Sequence, residues 1–146
     1  MKLYINILSL CILLFSCKYE DQYTGDPKPS ISQLVLNQSD FKQFTDTVVL
    51  TFNYKDGDGD LGFESADSLS VEVKDIRFAK PDYYHLKPLA PLNEKVSISG
   101  SIRISLKNIF LLGAGSSEST QFQIRIKDRA QHWSNALMSK SVNISK

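Results

Sequence analysis

The chain has 146 residues, of which 17 are basic and 16 acidic, and its formal net charge is +1. Lys2 is the one charged residue among the first 16, so the remaining 130 residues are formally neutral and offer no broad field to attract nucleic acid. A domain of this length buries roughly two thirds of its unfolded surface, which is enough for one hydrophobic core without disulfides.

The first segment has the composition of an export signal. Lys2 precedes an apolar run over residues 3–15 that only Asn6 and Ser9 interrupt. A run of about 13 residues suits a signal peptide and is short of the roughly 20 that a membrane-spanning helix needs. We therefore predict a cleaved signal peptide over residues 1–16.

The end of this segment, Leu-Phe-Ser-Cys at residues 14–17, resembles a bacterial lipobox. The resemblance implies that Cys17 is lipidated and that the chain is a Gram-negative envelope lipoprotein. Several acyl chains on one cysteine would give a stable membrane anchor. Cys11 lies inside the predicted signal peptide, so the mature domain is expected to contain no disulfide.

Residues 17–30 follow as the lipidated cysteine and a polar tether, since this stretch holds too few apolar side chains to form a core. Glu20 and Asp21 resemble the acidic signal that directs some lipoproteins to the outer surface of the outer membrane. The alternative is an ordinary solvated linker. We expect the outer membrane, with the domain at the cell surface or on the periplasmic face.

From Ile31 onward the hydrophobic pattern has a period of two, which is typical of half-buried β-strands. Seven segments show it: 31–36, 47–54, 69–74, 96–98, 102–107, 122–127 and 142–144. No segment has a convincing helical period. Seven short strands in little more than a hundred residues predict an all-β fold, namely a single antiparallel immunoglobulin-like β-sandwich over residues 31–146.

Two connections between these strands differ from simple turns. Residues 80–93 contain Pro81, Pro88 and Pro91, which cannot donate to an interior ladder, so we predict a long loop or an irregular edge. Residues 109–112 are apolar and precede a Gly- and Ser-rich stretch at 113–117, which predicts a core plug followed by a flexible corner.

The segment DGDGDLG at residues 56–62 has a high density of carboxylates. Its carboxylates lie at alternate positions: Asp56, Asp58 and Asp60. Such acids repel one another unless a hard cation lies among them, and oxygen ligands at this spacing suit calcium. On the count of an EF-hand loop, Asp67 would stand at the twelfth position. Leu61 replaces the glycine required at the sixth and no helices flank the loop, so the site is not an EF-hand. The alternative is a polar Asp- and Gly-rich turn.

Topology predicts a further acidic neighbour. If the strand ending at Tyr54 is the second of the sandwich and the strand 122–127 the sixth, their following loops share one end of the fold, and Asp128 approaches the acidic loop. Residues 127–135, KDRAQHWSN, resemble the last turn of many bacterial immunoglobulin-like modules, with Gln131 where glycine is usual. The DGDGDLG string resembles a segment of uncharacterised Gram-negative surface lipoproteins.

The sequence contains no assembled catalytic motif. Its only histidines are His85 and His132, without a GxSxG elbow, an HExxH pair or zinc-ligand spacing, and the mature chain would lack a cysteine nucleophile. We therefore expect a non-catalytic protein.

Two polar loops carry aromatic side chains that could stack on sugar rings or contact a protein: Tyr83, Tyr84, His132 and Trp133. An alternative for Trp133 is a lid over the end of the core. We expect a tethered module that binds an envelope protein or a glycan, with calcium ordering its acidic loop. A structural component of an envelope complex, a glycan-binding accessory and a hydrolase are the other interpretations.

Overall fold

Residues 25–146 are described by the computed structural model, and they form an all-β fold. The predicted signal peptide, the lipobox and Cys17 lie outside the described residues, as does most of the predicted tether. Among the described residues, no helix combines the length and hydrophobicity needed to cross a membrane.

Within this described part of the chain, ten strands form three sheets. They are β1 (Ser30–Leu36), β2 (Asp40–Lys42), β3 (Val48–Asp56), β4 (Leu69–Asp75), β5 (Asp82–His85), β6 (Ile98–Leu106), β7 (Ser117–Thr120), β8 (Phe122–Ile126), β9 (Leu137–Met138) and β10 (Val142–Ser145). The sheets have the strand orders β1-β3-β6, β2-β10-β7 and β5-β4-β8-β9.

One hydrophobic core joins the sheets into an immunoglobulin-like β-sandwich. The inward positions of β3 alternate with half-buried ones, so that Val48, Leu50 and Phe52 are fully buried. The same alternation buries Ile124 and Ile126 in β8. All the buried apolar side chains lie between Ile31 and Ile144 and form a single cluster. Residues 25–146 therefore contain a complete core and form a folding unit by themselves.

The predicted all-β sandwich is confirmed, with differences in its strands. Ten strands replace the expected seven, because β2, β5, β7 and β9 have only two to four residues and are too short to show a period. The fold is not wholly antiparallel, since β2 pairs with β10 in parallel. The segments predicted as 96–98 and 102–107 belong to one strand, β6.

Two predicted connections contain strands. Within the Pro-rich segment 80–93, β5 forms the edge of its sheet directly after Pro81, as expected for the irregular edge. The predicted flexible corner at 113–117 leads into β7, which pairs with β10. Ile109 is buried in the core as the predicted plug requires, whereas Phe110 and Leu112 are exposed.

Val71 and Val35 both lie on strands but differ in burial, so truncating each of them tests the described packing of the core. Val71 is fully buried and Val35 is 60% exposed. We expect Val71→Ala to lower the free energy of unfolding by about 2 kcal/mol, because it removes two buried methyl groups and leaves a cavity. The matched change Val35→Ala should alter it by less than about 0.5 kcal/mol. Urea unfolding of both variants measures the difference, and equal losses would contradict the described packing.

Candidate metal site at one end of the sandwich

The alternation of side chains along two strands places two aspartates on the inward face of the sandwich. The inward row of β3 that includes Leu50 and Phe52 continues at even positions to Asp56, which is 1% exposed. The inward row of β8 continues beyond Ile126 to Asp128, which is fully buried. Both carboxylates therefore lie at the same end of the sandwich, as the predicted topology requires for Asp128.

The loop after β3 folds back tightly over this end. Leu61 is fully buried and forms a β-bridge with Asp128, and its amide donates to Oδ2 of Asp56 at 3.1 Å. Gly59 and Gly62 have φ angles of +70° and +87°. A Cβ atom on Gly59 would collide with the carbonyl oxygen of Val96, and one on Gly62 with that of Lys87. Both positions therefore need glycine, for backbone conformation and for space.

Three carboxylates converge in this loop. Asp56, Asp58 and Asp60 each present an oxygen, and these atoms all lie within 4.8 Å of one another. The Oδ1 atom of each is buried and has no hydrogen-bond partner among residues 25–146. Unpaired buried carboxylate oxygens are costly, and three together also repel one another. The arrangement is favourable only if protons or a cation neutralise it.

The electrostatics of the cluster follow from this crowding. Burial, and then the charges of Asp58 and Asp60, raise the pKa of Asp56 from its ordinary value of 3.8 to about 6. Burial also raises the pKa of Asp60, with further contributions from the charges of Asp128 and Asp58. A hard divalent cation would remove this penalty, because carboxylate oxygens are the ligands that calcium prefers.

A second loop, residues 128–132, holds the acidic loop in place. The amides of Arg129 and Ala130 donate to the backbone oxygen and to Oδ2 of Asp60, at 3.2 and 3.0 Å. The guanidinium of Arg129 donates to the carbonyl of Gly62 at 3.1 Å and to that of Gly59 at 3.4 Å. The sequence carries no signal for this role of Arg129, which depends on where two distant loops meet.

The other two predicted metal ligands lie outside the group of three. Oδ1 of Asp128 accepts from the backbone amide of His132 at 2.7 Å, and its Oδ2 lies 3.0 Å from Nδ1 of the same residue. Asp128 therefore acts on the cluster through its charge. Asp67 is exposed and does not belong to the group. Gln131 adopts a φ of +72°, a conformation that glycine favours.

The aromatic side chains predicted to bind a ligand do not form one patch. Tyr83 points outward, and its hydroxyl donates to Glu72 at 3.0 Å. Its neighbour Tyr84 is half-buried against the core. Trp133 lies beneath the guanidinium of Arg125, which is 4.2 Å from the ring centroid.

Glu72 connects Tyr83 to Arg125, the residue that covers Trp133, in a row across the sheet. It pairs in register with Tyr83 on β5 and with Arg125 on β8, and it accepts two hydrogen bonds of 2.8 Å from the guanidinium. These contacts lower the pKa of Glu72, mainly through the hydrogen bond from Arg125. The polar groups of Tyr83, Glu72 and Arg125 thus hydrogen-bond to one another.

No protein-family model and no curated protein sequence matches this chain. A similar solved structure is that of a Niemann-Pick type C2 protein from Japanese carpenter ant. It has 8% sequence identity and a TM-score of 0.48, and the match covers 85% of this chain and 98% of that one.

The raised pKa of Asp56 predicts a stability effect that changes with pH. In excess chelator at pH 7.5, we expect Asp56→Asn to raise the free energy of unfolding, because it removes a buried charge among like charges. The folded protein binds this proton more tightly than the unfolded chain, so the wild type recovers stability as the pH falls through about 6 toward 3.8. The gain from Asn should therefore fade over that window.

Urea unfolding at several pH values, with chelator present throughout, measures this difference. The matched control is Asp67→Asn, which changes an exposed aspartate outside the cluster and should have little effect at any pH. If Asp56→Asn destabilised the metal-free protein equally at every pH, the described crowding of charges would be wrong.

Proposed function

We propose that this chain is a non-catalytic envelope lipoprotein, anchored at the outer membrane through Cys17, whose immunoglobulin-like domain binds or assembles with an envelope partner. In this proposal calcium neutralises and stiffens the loop of Asp56, Asp58 and Asp60. The metal part of the proposal is supported by the convergence of three buried Oδ1 atoms that have no hydrogen-bond partner within residues 25–146. The lipobox resemblance carries the anchoring part.

The chemistry of the ligands favours a hard cation over a transition metal. The three converging side chains supply only oxygen, which suits calcium, whereas zinc sites generally include cysteine or histidine. Backbone amides already occupy Oδ2 of Asp56 and of Asp60. These bonds fix the carboxylates in orientation, so that Asp56, Asp58 and Asp60 would be the residues that hold the ion.

Two features of the site support a non-catalytic role. The clustered carboxylate oxygens lie within 4.8 Å of one another, whereas the paired acids of glycosidases stand at least about 5 Å apart on either side of the scissile bond. His132 is paired with Asp128, but no serine or cysteine side chain hydrogen-bonds to it within the described part of the chain. An activated nucleophile would need such a contact.

The position of the tether gives the proposed module an orientation. Ser30 pairs with Lys55, so the chain enters the sandwich beside Asp56 at the metal end. Seven residues lie between Cys17 and Gly25, so the eight steps from one Cα atom to the next span at most about 29 Å when fully extended. With lipid on Cys17, the metal end would face the membrane and the opposite end would face away from it.

Calcium should stabilise the folded protein measurably. A ligand at 100 times its Kd adds about 2.7 kcal/mol to the free energy of unfolding, which corresponds to a rise of several degrees in Tm. We expect this rise between excess chelator and millimolar calcium for the wild type. Asp58→Asn should abolish it, whereas Asp67→Asn should retain it. Superimposable melting curves in the two conditions would contradict a metal site in the folded state.

The lipid anchor has a direct chemical test. When cells expressing the full chain are grown with radiolabelled palmitate, we expect label in the wild type and none in Cys17→Ala. Cys11→Ala serves as the matched control and should leave labelling intact, because that residue lies within the predicted signal peptide. Equal labelling of wild type and Cys17→Ala would rule out lipidation at this position.

A further inference from the structure

A cavity of about 600 Å³ opens at the end of the sandwich opposite the metal site. It lies where β4 and β8 approach the segment that follows β6, and its wall includes Val73, Tyr84, Leu106, Ile109 and Phe122. Val73, Ile109 and Phe122 are buried parts of the core, so the core itself forms the floor of the cavity. Its volume is within the range of small-molecule binding sites.

Aromatic side chains form the mouth of this cavity. Phe78 and Phe110 line it and are 38% and 37% exposed. Phe110 is stacked on Phe44, with ring centroids 6.0 Å apart, and meets the edge of Phe78 at 6.1 Å. Phe44 is itself 69% exposed. A contiguous exposed apolar surface next to a cavity is typical of a binding site.

Arg77 holds the mouth in this shape. Its guanidinium pairs with Asp75 at 2.6 Å and with Glu118 at 3.0 Å, and it donates to the carbonyl of Phe110 at 2.9 Å. Burial alone would raise the pKa of Asp75, but the hydrogen bonds from Arg77 and from the hydroxyl of Thr120, together with the charge of Arg77, hold that pKa below its usual value. The charge of Arg77 is therefore compensated, and the residue fixes the segment that carries Phe110.

The remaining charges at the wall favour an anion. Lys80 and Lys107 line the cavity, are exposed, and have no acidic oxygen within 4 Å among residues 25–146. Asp82 is the one lining acid outside the Arg77 network. Among the described residues, these two ammonium groups against one carboxylate make this part of the wall locally positive, and they offset the surplus carboxylate of the network in which Arg77 pairs with both Asp75 and Glu118.

We propose that this cavity binds an amphipathic organic anion, whose apolar body lies against Phe78 and Phe110 and whose carboxylate or sulfonate group lies near Lys80 and Lys107. This inference rests on the proposed binding role and supplies its ligand class, but it uses none of the metal-site residues. In the proposed orientation the cavity faces away from the membrane, so the ligand would be taken up from the aqueous side.

Two amphiphiles with the same apolar body and opposite charge test the proposal. Residues 18–146, which include the complete core, are titrated by calorimetry with laurate and with dodecyltrimethylammonium below their micelle-forming concentrations. We expect laurate to bind at one site and more tightly than the cation. Exposed ion pairs contribute modestly, so Lys80→Ala/Lys107→Ala should weaken laurate binding by roughly 3- to 20-fold. The matched double variant Lys42→Ala/Lys95→Ala, at exposed lysines outside the cavity, should leave it unchanged.

A second variant ties binding to the cavity itself. Ala79 lines the mouth and is exposed, so Ala79→Trp should obstruct entry without disturbing the core and should abolish laurate binding. Binding that survives this change, equal affinity for both amphiphiles, or no saturable heat with either would overturn the proposal. The last result would leave the aromatic mouth as a surface for a protein partner. None of these outcomes alters the calcium shift or the labelling of Cys17, so failure of this inference is distinguishable from failure of the proposed function.

Discussion

Repulsion among three carboxylates whose Oδ1 atoms are buried together is the interaction that dominates one end of the sandwich. Strand geometry turns Asp56 inward, and the tight return of the loop brings Asp58 and Asp60 against it. In an ordinary polar turn the three carboxylates would face water and lie apart from one another. Here the loop from 128 to 132 and two glycines of obligatory conformation hold the acids together instead. We infer that a cation supplies the compensating free energy.

The two ends of the sandwich differ in chemistry, and the same core separates them. One end is acidic, is closed by two interlocked loops and receives the chain from the tether. The other end has an apolar cavity with an aromatic mouth whose shape depends on the Arg77 network. In the proposed lipoprotein, the first end would keep the domain rigid near the membrane and the second would meet a ligand. In that arrangement the acidic loop would not itself contact the proposed partner.

The longer strands could be predicted from the sequence, because apolar and polar residues alternate several times along each of them. The strands β3, β4, β6 and β8 have five to nine residues, so their alternation was visible, and the all-β sandwich followed from it. The short strands β2 and β9 depend on pairing with distant segments, and no local pattern of two or three residues can indicate a partner. The parallel pairing of β2 with β10 could not be predicted for the same reason.

The candidate site was predictable to a similar extent. The spacing of Asp56, Asp58 and Asp60 suggested convergence, and the expectation that the loops after two strands share one end of the sandwich predicted the approach of Asp128. By contrast, the twelfth-position count that suggested Asp67 assumed a loop geometry that the chain does not adopt around Leu61. The role of Arg129 and the cavity at the opposite end arise from contacts between segments far apart in sequence, and neither leaves a local pattern.

Calcium binding to the folded protein tests most directly whether Asp56, Asp58 and Asp60 form a metal site. Calorimetric titration of residues 18–146 with calcium at neutral pH should show one ion bound per chain, and Asp56→Asn should lose that binding while retaining cooperative unfolding. Saturable binding that Asp56→Asn leaves intact, or no binding by a wild-type protein that is folded, would contradict the account.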